Sequence, residues 1–290
     1  VKETNADLAE QAARQALGWE NGGWAAHRVA PEDIDLIIYS TVTPDAWLPT
    51  GAATIRRRLG LVNAAAMDIN AACTGFIYGL TVAESMMAAA APGTPGAAGR
   101  NPIRRALVIG SERLSRITNW QDRNTCVLFG DGAGAAVVEW NAEKPGILSW
   151  YIHNDDDTDN ALTLMNRFDT PIAFTEAGVS LEALEMADPS VEAIDKEFGQ
   201  PERNAASPHQ VLHMQGQKVF KFATHAMPDA VEEVLRRAGL TIDDVKLIVP
   251  HQANLRIIKY AAKRMNLPLE RFQISIAHRG NSSWACIPMT

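Results

Sequence analysis

The 290-residue sequence is poor in cysteine and lacks the segments that direct a chain to export. Its three cysteines, Cys73, Cys126 and Cys286, are widely spaced and include no CxxC pair, which argues against a disulfide framework or a zinc site. The first residues are polar and helix-forming, with no basic segment followed by an apolar run, so no secretory signal is predicted. These absences favour a reducing, cytoplasmic location, and we expect no metal ion.

Positive charge is also scarce. The 27 Lys and Arg side chains are outnumbered by 34 Asp and Glu side chains, giving a formal charge of -7. We therefore expect neither nucleic acid nor an anionic membrane as a partner. The longest apolar stretch, 73–91, nearly suits a bilayer, but its many small residues and the lack of flanking basic anchors favour a buried helix. With 47% hydrophobic residues, the chain has ample material for a large core.

Apolar periodicity predicts an α/β protein in which helices and short strands alternate. The predicted helices are a first one through Leu8 and Leu17, then 54–61, 73–91, 217–238 and 255–265. The predicted strands are 34–40, 65–70, 106–110, 125–130, 135–140, 246–249 and 272–276, with the two strands at 125–140 paired around a glycine turn. The polar stretch 155–208 has weak periodicity and is expected to be a surface excursion.

The second half of the chain repeats features of the first. PEDIDLIIYS, from residue 31, and TIDDVKLIVPH, from residue 241, both lead from an acidic turn into an apolar strand. Aligning Ile38 with Val249 gives a spacing of 211 residues, and aligning the strands before Cys73 and Asn281 gives 208. Any two βαβ units resemble each other, but the near agreement favours a duplication. We predict a first half at 1–145, a cap at 146–210 and a second half at 211–290.

Three residues have the chemistry of a thiol-dependent site. Cys73 follows a predicted strand and begins a long apolar helix, where the helix N-terminus favours a thiolate. His251 follows another strand, at the sheet edge where ligand and catalytic sites of α/β proteins gather. Asn281 lies in a turn after Gly280 and offers an uncharged donor. Each residue alone is also typical of a structural role: an inert buried thiol, a core imidazole or a simple turn.

Five motifs occurring in order, INAACTGFIYGL, FGDGAGAAVVE, MQGQKVFKFA, VPHQANLRII and HRGNSSWACIP, resemble the β-ketoacyl-acyl carrier protein synthase III family of the thiolase superfamily. The resemblance extends over most of the chain. It implies a thiolase-like duplicated α-β-α-β-α layered fold with pseudo-twofold halves. It also implies decarboxylative Claisen condensation of an acyl-CoA with malonyl-acyl carrier protein in fatty acid initiation, by a homodimer. Thiolases have a second cysteine, and elongating synthases a second histidine, at the position of Asn281.

The resemblance implies a role for each matched residue. Cys73 is the nucleophile, with His251 and Asn281 completing a Cys-His-Asn triad, and no cofactor is implied beyond the coenzyme A thioester that serves as substrate. The residues implied in coenzyme A and acyl binding are Arg123, Phe220, Ala253, Asn254 and Leu48, the last reaching across the dimer to bound the partner's acyl pocket. Lys221 and Arg256 are implied to meet the acidic carrier protein, although each also suits a solvated basic face.

Other features leave alternatives open. An acyltransferase that forms esters or amides without condensation, and an inactive partner subunit, are compatible with the same motifs. The glycines of GDGAG precede a strand rather than a helix, so a dinucleotide-binding loop is not expected, and the aspartates at 155–159 are expected to be a solvated loop. Cys126 and Cys286 are expected in the core. Trp284 replaces a usually small residue and could alter substrate access. The family pattern extends beyond both ends of these 290 residues.

Overall fold

The computed structural model describes residues 3–20, 22–26, 28–144, 146–164 and 211–290. Most of the predicted surface excursion, 165–210, lies outside the described residues. The chain divides into two compact units. The larger comprises Val1–Ser115, Leu128–Asn154 and Phe222–Thr290, and the smaller comprises Arg116–Val127 and Asp155–Lys221. The three-part division at residues 145 and 210 stays a prediction.

Of the described helices, the five longest lie where helices were predicted, with ends shifted by a few residues, and the two shortest were not predicted. The described helices are α1 (Asn5–Ala16), α2 (Gly51–Leu59), α3 (Gly75–Ala90), α4 (Gly216–Ala238), α5 (Leu255–Arg264), α6 (Ile276–Arg279) and α7 (Cys286–Met289). The described strands are β1 (Trp19–Glu20), β2 (Gly23–Trp24), β3 (Leu36–Ser40), β4 (Ala65–Ile69), β5 (Arg105–Glu112), β6 (Gly132–Glu139), β7 (Leu162–Thr163) and β8 (His213–Met214). In the part of the chain so described, no helix combines the length and hydrophobicity needed to cross a membrane.

The main sheet has the strand order β4-β3-β5-β6. Strand β3 is parallel to both neighbours, with Ile38 opposite Met67 on β4 and Val108 on β5. Strand β6 is antiparallel to β5. Every residue of β3 is buried, because helices cover both faces of the sheet, as its uninterrupted apolar sequence requires.

Two apolar layers enclose the sheet. On one face, α1 and α2 pack on alternate strand residues, and this layer includes Ala9, Ala13, Ile37, Ile55 and Leu107. On the other face, α3 and the indole of Trp284 pack on the remaining set, which includes Leu36, Ile38, Phe76, Met87 and Val108. The period of two along β3 therefore divides its side chains between two cores.

The predicted strand at 125–130 is wrong. The segment consists of turns apart from one parallel bridge between Phe129 and Asn281, and β6 pairs with β5 instead. The cause is Asp122, whose side chain accepts the N–H of Asn124 and whose carbonyl accepts the N–H groups of Thr125 and Cys126. These local hydrogen bonds turn the backbone and remove it from strand pairing.

The predicted strands at 246–249 and 272–276 reduce to a single parallel bridge between Ile248 and Phe272. The side chain of the fully buried Gln252 explains where the second segment leaves the ladder. Its Oε1 accepts the N–H groups of Ser275, at 2.9 Å, and Ile276, at 3.2 Å. These donors are thereby taken from a strand, and α6 begins at Ile276.

The duplication is visible in the local backbone of the larger unit. The 3₁₀ turns Pro31–Asp33 and Ile242–Asp244 are 211 residues apart, and so are the 3₁₀ turns Ala72–Thr74 and Ser283–Ala285. The first residue of each member of the second pair has a positive φ, 42° at Ala72 and 51° at Ser283. One spacing thus relates both pairs. The spacing of 208 that equated Asn281 with Cys73 was wrong by three residues, and the residue equivalent to Cys73 is Trp284.

Candidate active site

The predicted nucleophile lies in a strained turn between β4 and α3. Cys73 is the middle residue of the 3₁₀ turn Ala72–Thr74, and α3 begins at Gly75 rather than at Cys73 as predicted. Ala72 adopts a left-handed φ of 42°, a conformation that L-residues rarely tolerate without support from their surroundings. The turn leaves Cys73 half-buried at the start of the helix.

Trp284 supplies much of that support. Its indole is fully buried against Gly75, and a Cβ at Gly75 would lie 1.3 Å from indole Cε3, so no other residue fits there beside this tryptophan. The backbone carbonyl of Trp284 also lies close to Gly110 on β5, where a Cβ would be 3.0 Å from the carbonyl oxygen. Trp284 therefore packs between strand β5 and helix α3, which follows Cys73. The ring lies in the core, and its effect on substrate access stays a prediction.

The electrostatic surroundings of Cys73 do not favour a thiolate. Burial raises the pKa of the Cys73 thiol, and this effect exceeds the lowering by the Ser283 hydroxyl and by a backbone hydrogen bond. The Ser283 Oγ lies 3.9 Å from the Cys73 Sγ. Proximity to a helix N-terminus is thus insufficient, and the thiol needs a base to take its proton.

Asn281 is held by its backbone and by its side-chain oxygen. Its N–H donates to the carbonyl of Leu128 at 2.8 Å, and its carbonyl accepts the N–H of Gly130 at 2.9 Å. Its Oδ1 accepts the N–H of Ser283 at 2.9 Å. Because the oxygen of the amide is engaged in this way, the amide group that the side chain offers to a substrate is the NH₂ donor.

His251 is half-buried and contacts Cys286, the first residue of α7. Its Nδ1 lies 2.9 Å from the Sγ of Cys286. The next residue, Gln252, anchors the backbone here: its Nε2 donates to the carbonyls of Pro250 and Gln273, both at 3.0 Å. The imidazole is therefore oriented from both its ring and its main chain.

The segment 281–286 contacts all three predicted triad residues. It contains Asn281, its Ser283 hydroxyl approaches Cys73, and its Cys286 thiol contacts His251. Three residues that span 208 positions of the sequence are thus gathered around one segment. The catalytic roles of the three residues stay predictions.

Glu112, at the carboxyl end of β5, was not predicted as a site residue. This glutamate is fully buried; its Oε1 accepts the N–H of Val42 at 2.9 Å, and the hydroxyls of Thr41 and Thr43 donate to its Oε2. Burial raises the pKa of Glu112 to about 8, and the negative charge of an ionised Cys73 adds to the increase. An acidic residue ending the apolar run ALVIGS was the available signal.

The remaining predicted site residues are distributed over both units. The smaller unit holds Arg123 and Lys221, both exposed, and the half-buried Phe220. The larger unit holds Leu48, Ala253, Asn254 and Arg256. Asn254 caps α5, its side chain accepting the N–H of Arg256 at 2.8 Å, and Leu48 is 84% exposed. Their roles in binding stay predictions.

Comparison with known proteins identifies the family. A model of 3-oxoacyl-[acyl-carrier-protein] synthase III matches residues 67–156, and a model of the C-terminal part of that synthase matches residues 235–290. The β-ketoacyl-[acyl-carrier-protein] synthase III of Clostridium perfringens is 38% identical over 289 residues, which cover 100% of this chain and 75% of the relative. The chain belongs to the β-ketoacyl-[acyl-carrier-protein] synthase III family. It is therefore an enzyme of the thiolase-type condensing class.

Solved structures of synthase III proteins share the fold. The enzyme from Thermus thermophilus matches with a TM-score of 0.74 and 34% identity, over 99% of this chain and 74% of that one. A priming β-ketosynthase from the R1128 polyketide biosynthetic pathway matches with a TM-score of 0.72 and 32% identity, over 99% of this chain and 72% of that one. The predicted thiolase-like α/β fold is confirmed. This synthase III chain spans about three quarters of the length of these relatives.

Proposed function

We propose that this protein condenses an acyl-CoA primer with malonyl-acyl carrier protein, with loss of carbon dioxide, to start fatty acid synthesis. The observation that carries the proposal is the gathering of Cys73, His251 and Asn281 around the segment 281–286 in a chain of the synthase III family. A thiol, an imidazole and a carboxamide provide a nucleophile, a proton acceptor and an uncharged donor, which are the groups that such a condensation needs.

In the first half of the reaction, the Cys73 sulfur attacks the thioester carbonyl of the acyl-CoA. The acyl group is transferred to Cys73, and coenzyme A leaves as a thiolate that takes a proton from solvent. The strained turn supports this step because it holds the sulfur at a defined position beside the Ser283 hydroxyl. No cofactor other than the coenzyme A of the substrate takes part.

In the second half, malonyl-acyl carrier protein loses carbon dioxide and the electron pair of the broken bond forms an enolate. The NH₂ group of Asn281 and the Nε2–H of His251 donate to the enolate oxygen, an interaction whose removal typically costs about 3–4 kcal/mol in the transition state. The enolate carbon attacks the acyl-Cys73 carbonyl and releases the thiolate. An uncharged amide at position 281 suits this step, because a carboxylate would repel the enolate.

The active form that we propose is a homodimer. Leu48 and its neighbour Trp47 are 84% and 66% exposed, and a second copy of the chain that covers them would bury two large apolar side chains. Lys221 and Arg256 are exposed and can attract the acidic carrier protein at short range. Sedimentation of the protein, and of a Leu48→Lys variant that should dissociate, tests the dimer.

Two measurements test the reaction. Incubation with an acyl-CoA should add the mass of one acyl group to the protein, and the addition should be absent in Cys73→Ala. Subsequent malonyl-acyl carrier protein should release one carbon dioxide per acyl group consumed. Acylation without carbon dioxide release, with transfer to an added alcohol or amine, would instead identify an acyltransferase. Absence of acylation would identify an inactive subunit.

A further inference from the structure

Cys286 was expected only to fill the core, and it is buried, but its sulfur makes three polar contacts. The Sγ lies 2.7 Å from the carbonyl oxygen of Ser283, 3.2 Å from the backbone nitrogen of Gln252 and 2.9 Å from Nδ1 of His251. The side chain is 1% exposed, so these contacts are made away from bulk water.

The number of protons around this sulfur limits the protonation of His251. A thiol carries one proton, and a carbonyl oxygen can only accept a hydrogen bond. The short contact therefore means that the Cys286 S–H donates to the Ser283 carbonyl oxygen. The N–H of Gln252 can only donate to the sulfur. With the thiol proton directed at Ser283, Nδ1 of His251 must carry the proton that it shares with the sulfur. In a neutral imidazole, a proton on Nδ1 leaves Nε2 with a free electron pair.

We propose that Cys286 is a positioning residue that holds neutral His251 as its Nδ1–H tautomer, so that Nε2 accepts the proton of Cys73. The assignment rests on the proposed function for its chemical purpose. It supplies the base that the Cys73 thiol needs, because burial raises the pKa of that thiol. The Cys286 sulfur acts through His251, since its own side chain is 1% exposed.

This tautomer gives a balanced proton inventory. The Cys73 proton moves to Nε2 of His251, the resulting thiolate attacks the acyl-CoA, and coenzyme A leaves as a thiolate that takes a proton from solvent. His251 is then an imidazolium, whose Nε2–H donates to the enolate oxygen during decarboxylation. When condensation releases the Cys73 thiolate, Nε2 returns the proton to it. One proton thus alternates between Cys73 and His251 through the cycle.

The first test determines the tautomer without any substrate. The full chain is labelled with ¹⁵N-histidine, and the His251 signals are identified among those of the seven histidines by their loss in a His251→Gln variant. At a pH at which His251 is neutral, the ¹⁵N shifts should show a protonated Nδ1 and an unprotonated Nε2. A protonated Nε2 in the neutral ring would overturn the proposal.

The second test compares variants of Cys286. In Cys286→Ala, Nδ1 loses its partner, so the His251 spectrum should move towards the Nε2–H tautomer and acylation of Cys73 should slow by about tenfold to a hundredfold. Cys286→Ser, whose hydroxyl can donate to Ser283 and accept from Nδ1, should restore both. Cys126→Ala is the matched control and should change neither. Retention of the parent tautomer and acylation rate by Cys286→Ala would also overturn the proposal.

The two proposals fail in different ways. If the parent protein shows the Nδ1–H tautomer but no acylation by any acyl-CoA, the proposed function fails and the structural assignment of Cys286 stands. If acylation and carbon dioxide release occur but the neutral ring is protonated at Nε2, the function stands and the role of Cys286 is wrong. Should Cys286→Ala fail to fold, the parent tautomer and the Cys286→Ser variant still decide the question.

Discussion

The 3₁₀ turns Ala72–Thr74 and Ser283–Ala285 are built alike and put to different uses. Both begin with a residue of positive φ, and both lead into a helix. The first presents Cys73, half-buried, at the start of the 16-residue helix α3. The second buries Trp284 completely and continues into the four-residue helix α7. The same backbone turn therefore presents the predicted nucleophile, Cys73, in one half of the protein and packs Trp284 beneath it in the other.

The difference explains how the site tolerates its strain. A left-handed residue costs on the order of 1–3 kcal/mol and persists only where surrounding contacts hold it. The Trp284 ring fills the space at Gly75, and the neighbouring Ser283 contacts both Cys73 and Asn281. The second turn thus stabilises the first turn and also supplies the polar groups beside it.

The largest effect is expected when serine replaces Cys73 in the first turn, and a much smaller one when it replaces Cys286, the residue after the second turn. Cys73→Ser should lower acylation by more than about a thousandfold, because a serine hydroxyl is a far poorer nucleophile near neutral pH. Cys286→Ser should retain acylation, because a hydroxyl there preserves the contacts to its neighbours. Mass spectrometry after a timed exposure to acyl-CoA measures both. Equal loss in the two variants would contradict the division of roles between the turns.

Removal of the Asn281 amide, two residues before the second turn, should affect the two half-reactions to different extents. Asn281→Ala should leave acylation of Cys73 within the same order of magnitude but lower carbon dioxide release from malonyl-acyl carrier protein by about a hundredfold to a thousandfold. Rapid-quench measurement of each step in isolation provides the test. If both steps fell equally, Asn281 would serve the structure of the turn rather than the enolate.

Alanine normally stabilises a helix relative to glycine, but the packing of Trp284 against Gly75 predicts the opposite in α3. Gly75→Ala should destabilise the protein by roughly 1–3 kcal/mol, because the new methyl group collides with Trp284. Trp284→Ala should cost roughly 3–5 kcal/mol by leaving a cavity. In the double variant the methyl group has space, so the loss of unfolding free energy should be smaller than the sum of the losses in the two single variants.

Urea unfolding of the single and double variants measures this coupling. The matched control is Gly216→Ala at the first residue of α4, where the nearest atom is 3.9 Å from the added Cβ. It should be neutral or slightly stabilising. Additivity of the Gly75 and Trp284 effects would mean that the ring does not support the nucleophile helix.

A pH effect on stability is expected from Glu112, which is fully buried and senses the charge of Cys73 in the first turn. Because burial raises its pKa from 4.5 to about 8, the folded protein holds a proton that the unfolded chain has released between these values. The contribution of Glu112 to stability is thus fully present below about pH 4.5 and is lost as the pH rises through about 8. Glu112→Gln cannot ionise, so its stability relative to the parent should increase over this range by a few kcal/mol.

Unfolding free energies measured from pH 5 to pH 9 test this expectation. Glu139→Gln, a change of an exposed glutamate on β6, should leave the pH dependence as in the parent protein. A Glu112→Gln profile parallel to that of the parent would show that Glu112 is ionised when buried.

Sequence patterns located most of the regular structure. The helices α1 to α5 and the strands β3 to β5 were predicted within a few residues, because periodicity reflects burial on one or two faces and is a local property. The predicted strands 125–130 and 272–276 were wrong where two polar residues, Asp122 and Gln252, take backbone donors from a strand. Of the predicted strand 246–249, Ile248 forms the one bridge described. A hydrogen bond of this kind depends on geometry that hydrophobic pattern does not encode.

The sequence by itself determined the family and the layered α/β class, and it predicted Cys73, His251 and Asn281 as a triad, because each lies in a continuous motif whose residue types are specific. Only the tertiary structure decided what surrounds them. Trp284 packs against Gly75, the carboxyl group of Glu112 accepts the N–H of Val42, and the thiol of Cys286 contacts His251. These contacts join residues 35 to about 200 positions apart. Burial and proton sharing depend on distance in space, and only packing of the whole chain sets that distance.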